Sequence, residues 1–188
     1  MNEVELIRNQ LALERTHASA VANACATAMQ GDATAGATAD SVGQFRRASV
    51  DYLACVLAWF EERDQRLADL LHARLRSTDS ARHSLEDVLA RPGRSCEVLA
   101  KLEAACAGAT ASGSAGRRQE WREFAEYFNA VWSTRRDALD GLLSTNSSAT
   151  DWRTFGGIDA DSILEERRRY AQVRSQVPPG VSLGANPQ

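Results

Sequence analysis

The sequence predicts an all-α protein, an up-down four-helix bundle with short extra helices between its second and third long helices. Three observations predict it. The stretch Asp51 to Leu71 places Tyr52, Val56, Trp59, Arg63, Leu67 and Leu70 three or four residues apart, the spacing of one helix face. A second stretch, Glu123 to Leu143, has the same character and repeats a Trp-x-x-x-Arg-Asp unit, with Trp132, Arg136 and Asp137 answering Trp59, Arg63 and Asp64. No segment alternates with the period of two that a half-buried strand requires.

The first helix is expected over 3–30. Val4, Ile7, Leu11, Ala18, Val21 and Cys25 form its inward face, and the alanines from Ala18 to Ala28 favour helix and permit close approach of a neighbour. Small polar residues over 31–40 make a connector. Asp40 or Ser41 is placed to cap the second helix, 42–76. Ser77 to Ser80 interrupts the pattern, and Asp79 or Ser80 can open a short helix that Pro92-Gly93 stops. Ser95 can cap a third piece carrying Cys96, Leu99, Leu102 and Cys106. The small-residue run 108–116 reads as linker.

The next long helix is expected over 117–144, with Trp121, Phe124, Tyr127, Phe128 and Trp132 spread over more than a third of its circumference. A helix apolar over that width is buried on two sides or meets a second copy, so a homodimer is expected. Residues 144–157 read as a loop pinned by Trp152 and Phe155. Asp159 or Asp161 opens the last helix, 159–176, although Ser162 and Glu165 also have capping-box spacing. Residues 165–169 read as a solvated charged face, and Gly156-Gly157 as a turn. The expected organisation is one domain over 1–177 with a flexible tail over 178–188.

Composition narrows the function classes. Hydrophobic residues at 44% and charged residues at 25% suit a soluble globular chain of 188 residues. A net charge of −3 gives no broad basic surface for nucleic acid. Lys101 is the only lysine beside many arginines; arginine suits bidentate contacts, and a G+C-rich genome gives the same bias. No run reaches the length of a membrane span, and the acidic N-terminus is unlike a signal peptide. Four scattered cysteines on apolar faces read as reduced, buried thiols of a cytoplasmic protein. The chain has no nucleophile elbow, P-loop or dinucleotide fingerprint, so no catalytic residue and no cofactor is assigned.

Candidate ligand-binding residues are Glu14, His17, Trp59, Arg63, Trp132 and Arg136. Glu14 interrupts an otherwise apolar helix face, and His17 follows three residues later on the same side. Arg63 and Arg136 fall on inward faces, where a guanidinium fork matches a carboxylate or phosphate. The Trp-x-x-x-Arg pairs have two readings: local stacking of guanidinium on indole, or the lining of a pocket for a small acidic ligand. Buried charges are normally paired, so Glu14 is expected to contact Arg63 or Arg136, with the matching tryptophan on the guanidinium. A non-enzymatic bundle with a polar, ligand-binding or regulatory interior follows. An oligomeric interaction module and a divergent di-metal protein are the alternatives.

At Glu14-x-x-His17 and over Asp51 to Leu71 the chain resembles the hemerythrin-like family. The resemblance implies an up-down bundle with ligands facing inward from all four helices. Where that family carries His-x-x-x-Glu on its second helix, this chain has Trp59-x-x-x-Arg63, with Glu62 adjacent. Where the third helix carries His-x-x-x-His, it has Trp132-x-x-x-Arg136. No histidine follows His83, so the His-x-x-x-x-Asp of the last helix is unmatched. His17 alone carries over as a ligand position. The resemblance therefore implies a member without its di-iron site, no bound metal and no oxygen binding.

Overall fold

The computed structural model describes residues 2–28, 36–72, 92–106, 119–129 and 147–184. Among them the regular structure is helical throughout. Helix α1 is Glu3–Ala28, α2 Ala39–His72 and α3 Pro92–Cys106. Residues 119–129 form α4, Ala149–Gly156 forms α5 and Ala160–Ser175 forms α6. None of these helices is long and apolar enough to cross a membrane.

The helix starts are set by side chains that satisfy the orphan N–H groups of a first turn. Asn2 Oδ1 accepts from the Glu5 N–H, and Glu5 Oε2 accepts from the Asn2 N–H. Thr38 Oγ1 accepts from the Ser41 N–H, so α2 begins three residues before the expected start and neither Asp40 nor Ser41 is its cap. Helix α3 begins at Pro92. Proline, read above as a stop, here occupies a first-turn position where its missing N–H leaves no intrahelical bond unmade. Asp159, one of the two candidate caps, closes a capping box with Ser162.

The expected loop at 144–157 is corrected over 149–156. Ser148 and Asp151 form a reciprocal capping box and α5 follows it. Trp152 and Phe155 are buried, as expected of the segment's anchors. Gly157 ends α5 with φ +51°, and a Cβ there would also overlap the Arg66 guanidinium. Gly157→Ala is expected to lower stability by about 1–2 kcal/mol from the left-handed backbone alone. Urea denaturation measures this, and a neutral result would mean the turn relaxes out of that conformation.

The apolar core has two parts. The larger joins Ala18 to Ala28 of α1, Phe45 to Phe60 of α2, Leu102 of α3, Trp121, Phe124 and Phe128 of α4, and Tyr170 and Val173 of α6. The smaller joins Ile7 and Leu11 of α1, Leu67 and Ala68 of α2, and Trp152 and Phe155 of α5. The start of α1 shares a cluster with the end of α2, and its end shares one with the start of α2. The two helices are therefore antiparallel.

Helix α4 departs from the width expected of it. Trp121, Phe124, Ala125 and Phe128 are buried on one face inside the chain, Tyr127 is half-buried, and Arg122, Glu123 and Glu126 are exposed. The described aromatic side chains that motivated a dimer contact are thus mostly covered by this chain's own helices. Polar contacts tie α4 to α1: Ser19 Oγ donates to Asn129 Oδ1, and Asn129 Nδ2 donates to Asn23 Oδ1. Residues 130–146, which include Trp132 and Arg136, lie outside the described residues. In the expected tail, Pro178 is buried, and Val181 and Leu183 pack against the larger cluster.

Candidate functional site: a polar layer between two apolar clusters

On α1, Glu14 and His17 fall between the residues of the smaller cluster and those of the larger. On α2, Arg63 and Asp64 occupy the same level. All four are buried, as is Glu166 of α6. The antiparallel packing of α1 on α2 thus stacks a charged layer between two apolar ones.

One half of the layer is an ion pair. Arg63 NH1 donates to Glu14 Oε2 at 2.5 Å, and NH2 approaches Oε1 at 3.4 Å. Gln10 Nε2 adds a bond to Oε1 at 3.2 Å. Arg63 Nε donates to the carbonyl of Gly156 at 3.0 Å. The Gly156-Gly157 turn therefore supplies an acceptor to a buried cation, a role its sequence did not suggest. Gly156 also lets α5 come close, since a Cβ there would lie 2.8 Å from Ile7 Cγ2. The ring over the guanidinium is Phe60, at 5.9 Å, rather than the expected Trp59. Trp59 is half-buried and packs against the larger cluster; the guanidinium turns the other way, toward Glu14 and Gly156.

The other half centres on Glu166. Its Oε1 accepts from the Tyr52 hydroxyl at 2.8 Å and lies 2.9 Å from His17 Nδ1. A carboxylate offers acceptors only, so the proton between it and His17 belongs to Nδ1. His17 stacks on Tyr170 with ring centroids 3.7 Å apart and planes 7° from parallel. Ring contact on one side and the carboxylate at Nδ1 fix the imidazole. Two atoms of this half, His17 Nε2 and Glu166 Oε2, are buried without a hydrogen-bond partner among the described residues.

Burial raises the Tyr52 hydroxyl far above the ordinary tyrosine range, and the nearby Glu166 carboxylate raises it further. Burial raises Tyr170 as well. A group whose proton is held more tightly in the folded state stabilises fully below the unfolded pKa, and that stability is lost as pH rises beyond it. Stability is therefore expected to fall above about pH 10, by up to about 1.4 kcal/mol per pH unit for each such tyrosine. Denaturant titrations between pH 9 and 11 measure the slope. Tyr52→Phe should remove its share and leave that of Tyr170; an unchanged slope would mean that Tyr52 ionises freely.

Beside this half, α2 and α6 enclose a groove of about 400 Å³ lined by Ala48, Asp51, Tyr52 and Cys55 of α2 and by Arg169 and Gln172 of α6, among others. Alanine walls leave the space, and Tyr52 is common to the groove and the polar layer. Burial pushes the Cys55 thiol up, so it stays protonated and a poor nucleophile. At the surface of α6, Arg168 and Arg169 hold Glu165 down at about 2.

Of the six candidate residues, Glu14, His17 and Arg63 come together in the layer. Trp59 lies outside the ion pair, and Trp132 and Arg136 are not among the described residues. His17 is buried. Glu166, Tyr52 and Tyr170 were not recognised as polar-site residues. Reading 165–169 as solvated holds for Arg167 and Arg168 and fails for Glu166. The missed signal is periodic: Glu166, Tyr170 and Val173 lie four and three residues apart, the inward stripe of α6. No set of three or more His, Cys, Asp or Glu side chains arranged to hold a metal ion occurs among the described residues. No family model, curated protein or solved structure matches the chain.

Proposed function

We propose that the protein is a non-enzymatic four-helix bundle whose polar interior binds a small ligand and so sets a regulatory state. One observation carries this reading: His17 Nε2 and Glu166 Oε2 are buried and unpartnered among the described residues, in a layer where every described polar atom of Glu14 and Arg63 that is buried has a partner. Buried polar groups in folded proteins are nearly always hydrogen-bonded, and those that are not commonly mark a bound molecule or ion. The Glu166 end, not Arg63, is the binding end. Arg63 already serves Glu14 and the Gly156 carbonyl, which removes it as the anchor expected for an acidic ligand.

Native mass spectrometry of the purified chain tests the reading. A small-molecule adduct is expected in the wild type and is expected to be lost in Glu166→Leu, with both proteins folded by circular dichroism. Wild-type protein free of adduct, and unshifted in melting temperature by any small polar compound, would overturn it. Metal content separates the divergent hemerythrin-like alternative. Because no histidine follows His83, far less than one equivalent of iron, manganese or zinc is expected. A stoichiometric metal lost on His17→Ala would favour that alternative instead.

A further inference from the structure

We infer that the groove between α2 and α6 is a second binding site, which takes the zwitterion of a small α-amino acid, its carboxylate on Arg169 and its ammonium on Asp51. The site is separate from the buried layer, since neither His17 nor Glu166 lines the groove. Ala48, Asp51, Tyr52 and Cys55 follow the spacing of one face of α2 and form one wall. Arg169 and Gln172, three residues apart on α6, form the other.

Each wall carries one charge that the described residues leave unmatched. On α6 two arginines share one carboxylate. Arg168 takes Glu165 through Nε and NH2, whereas Arg169 reaches it through Nε alone, at 2.6 Å. One carboxylate against two guanidiniums leaves a positive charge over. The NH1 and NH2 groups of Arg169 have no partner among the described residues. Glu165 thus holds one edge of the Arg169 fork and leaves the other edge to bind. On α2, Asp51 is exposed, and its carboxylate has neither an ion pair nor a hydrogen bond among the described residues. Arg47, one turn earlier on α2, does not take it; its NH1 lies back along the helix, 3.9 Å from the position a Gly43 Cβ would occupy. Asp51 and Arg169 line the same groove and yet form no salt bridge with each other. Opposite charges therefore stand apart with the groove's space available to both.

The two signs select the ligand. A plain anion would meet the Arg169 fork but be repelled by Asp51, and a plain cation would meet the reverse. A molecule that carries both charges on one carbon answers both walls at once. Its carboxylate offers two acceptors to the parallel N–H groups of a guanidinium, and its ammonium offers three donors to the Asp51 carboxylate. Gln172 adds a side-chain amide, which both donates and accepts. The rest of the lining, Ala48, Ala54, Cys55 and the Tyr52 ring, suits a small apolar side chain. The volume of about 400 Å³ lies toward the small end of ligand sites.

The experiment titrates L-alanine into the full 15N-labelled chain at constant ionic strength and follows 1H–15N correlation spectra. N-acetyl-L-alanine, which keeps only the negative charge, and L-alaninamide, which keeps only the positive one, are titrated in parallel. Saturable shifts with L-alanine are expected around Asp51, Cys55, Arg169 and Gln172, with both companions weaker by about tenfold or more. Arg169→Gln and Asp51→Asn should each weaken L-alanine by about tenfold or more. Arg167→Gln, exposed on α6 and off the groove, should leave it unchanged. Glu165 keeps Arg168 when Arg169 is replaced, and Asp51 is exposed, so both variants are expected to fold; should one fail, the other reads the same contact from the opposite wall. An equal response to N-acetyl-L-alanine would make the groove a plain anion site, and an equal response to L-alaninamide a plain cation site; either overturns the inference. So does L-alanine without saturable shifts, or wild-type affinity in the variants. The buried layer is read separately, by the adduct in native mass spectrometry and its loss in Glu166→Leu, so the groove can fail while that reading stands.

Discussion

Arg63→Met is expected to destabilise the fold by about 3–5 kcal/mol, because it leaves the Glu14 carboxylate buried without its countercharge. Glu14 is fully buried, and Gln10 is the one other described donor to it. Glu14→Leu should cost a similar amount, since Arg63 would retain only the Gly156 carbonyl and the face of Phe60. The double variant should recover most of the loss, because two apolar side chains of similar size remove both the charges and their desolvation. A double-mutant cycle by urea denaturation measures the coupling. Single losses under about 1 kcal/mol, the range of exposed ion pairs, would mean that the pair faces water. The polar layer would then not exist as described.

Trp121→Ala is expected to cost a comparable amount, about 3–5 kcal/mol, through the cavity it opens in the larger cluster. Trp121 is among the largest fully buried side chains, and its ring meets Phe124 edge to face at 6.2 Å. The loss should be the same at every protein concentration. That independence separates burial within the chain from the dimer contact which the aromatic pattern suggested. A loss that shrinks as protein concentration rises would restore the dimer.

The helical class was legible because long 3.6-residue patterns are the strongest signal a single sequence carries. Ile7, Leu11, Val21, Val56 and Leu67 stood on their faces by spacing alone and are buried. The inward charges were legible for the same reason: Glu14 and Arg63 interrupted apolar stripes, and pairing follows from the cost of burial. Their partnership with the Gly156 carbonyl was not legible, since a backbone acceptor carries no side-chain signature. Helix α5 was missed although Ser148-x-x-Asp151 spells its capping box; the surrounding small polar residues read as loop and outweighed it. Glu166 was missed because its neighbours Glu165, Arg167 and Arg168 are charged and mostly turned to water. A run of charge hides one inward member unless its spacing to Tyr170 and Val173 is weighed first.

The tautomer of His17 tests the central claim most directly. The account holds that the Glu166 carboxylate fixes the imidazole with its proton on Nδ1 and its lone pair at Nε2, in a layer closed to solvent. Long-range 1H–15N correlation in the wild-type chain near neutral pH reads both nitrogens. A neutral ring protonated at Nδ1, losing that preference in Glu166→Gln, is the predicted result. A proton on Nε2, or a ring insensitive to Glu166, would contradict it.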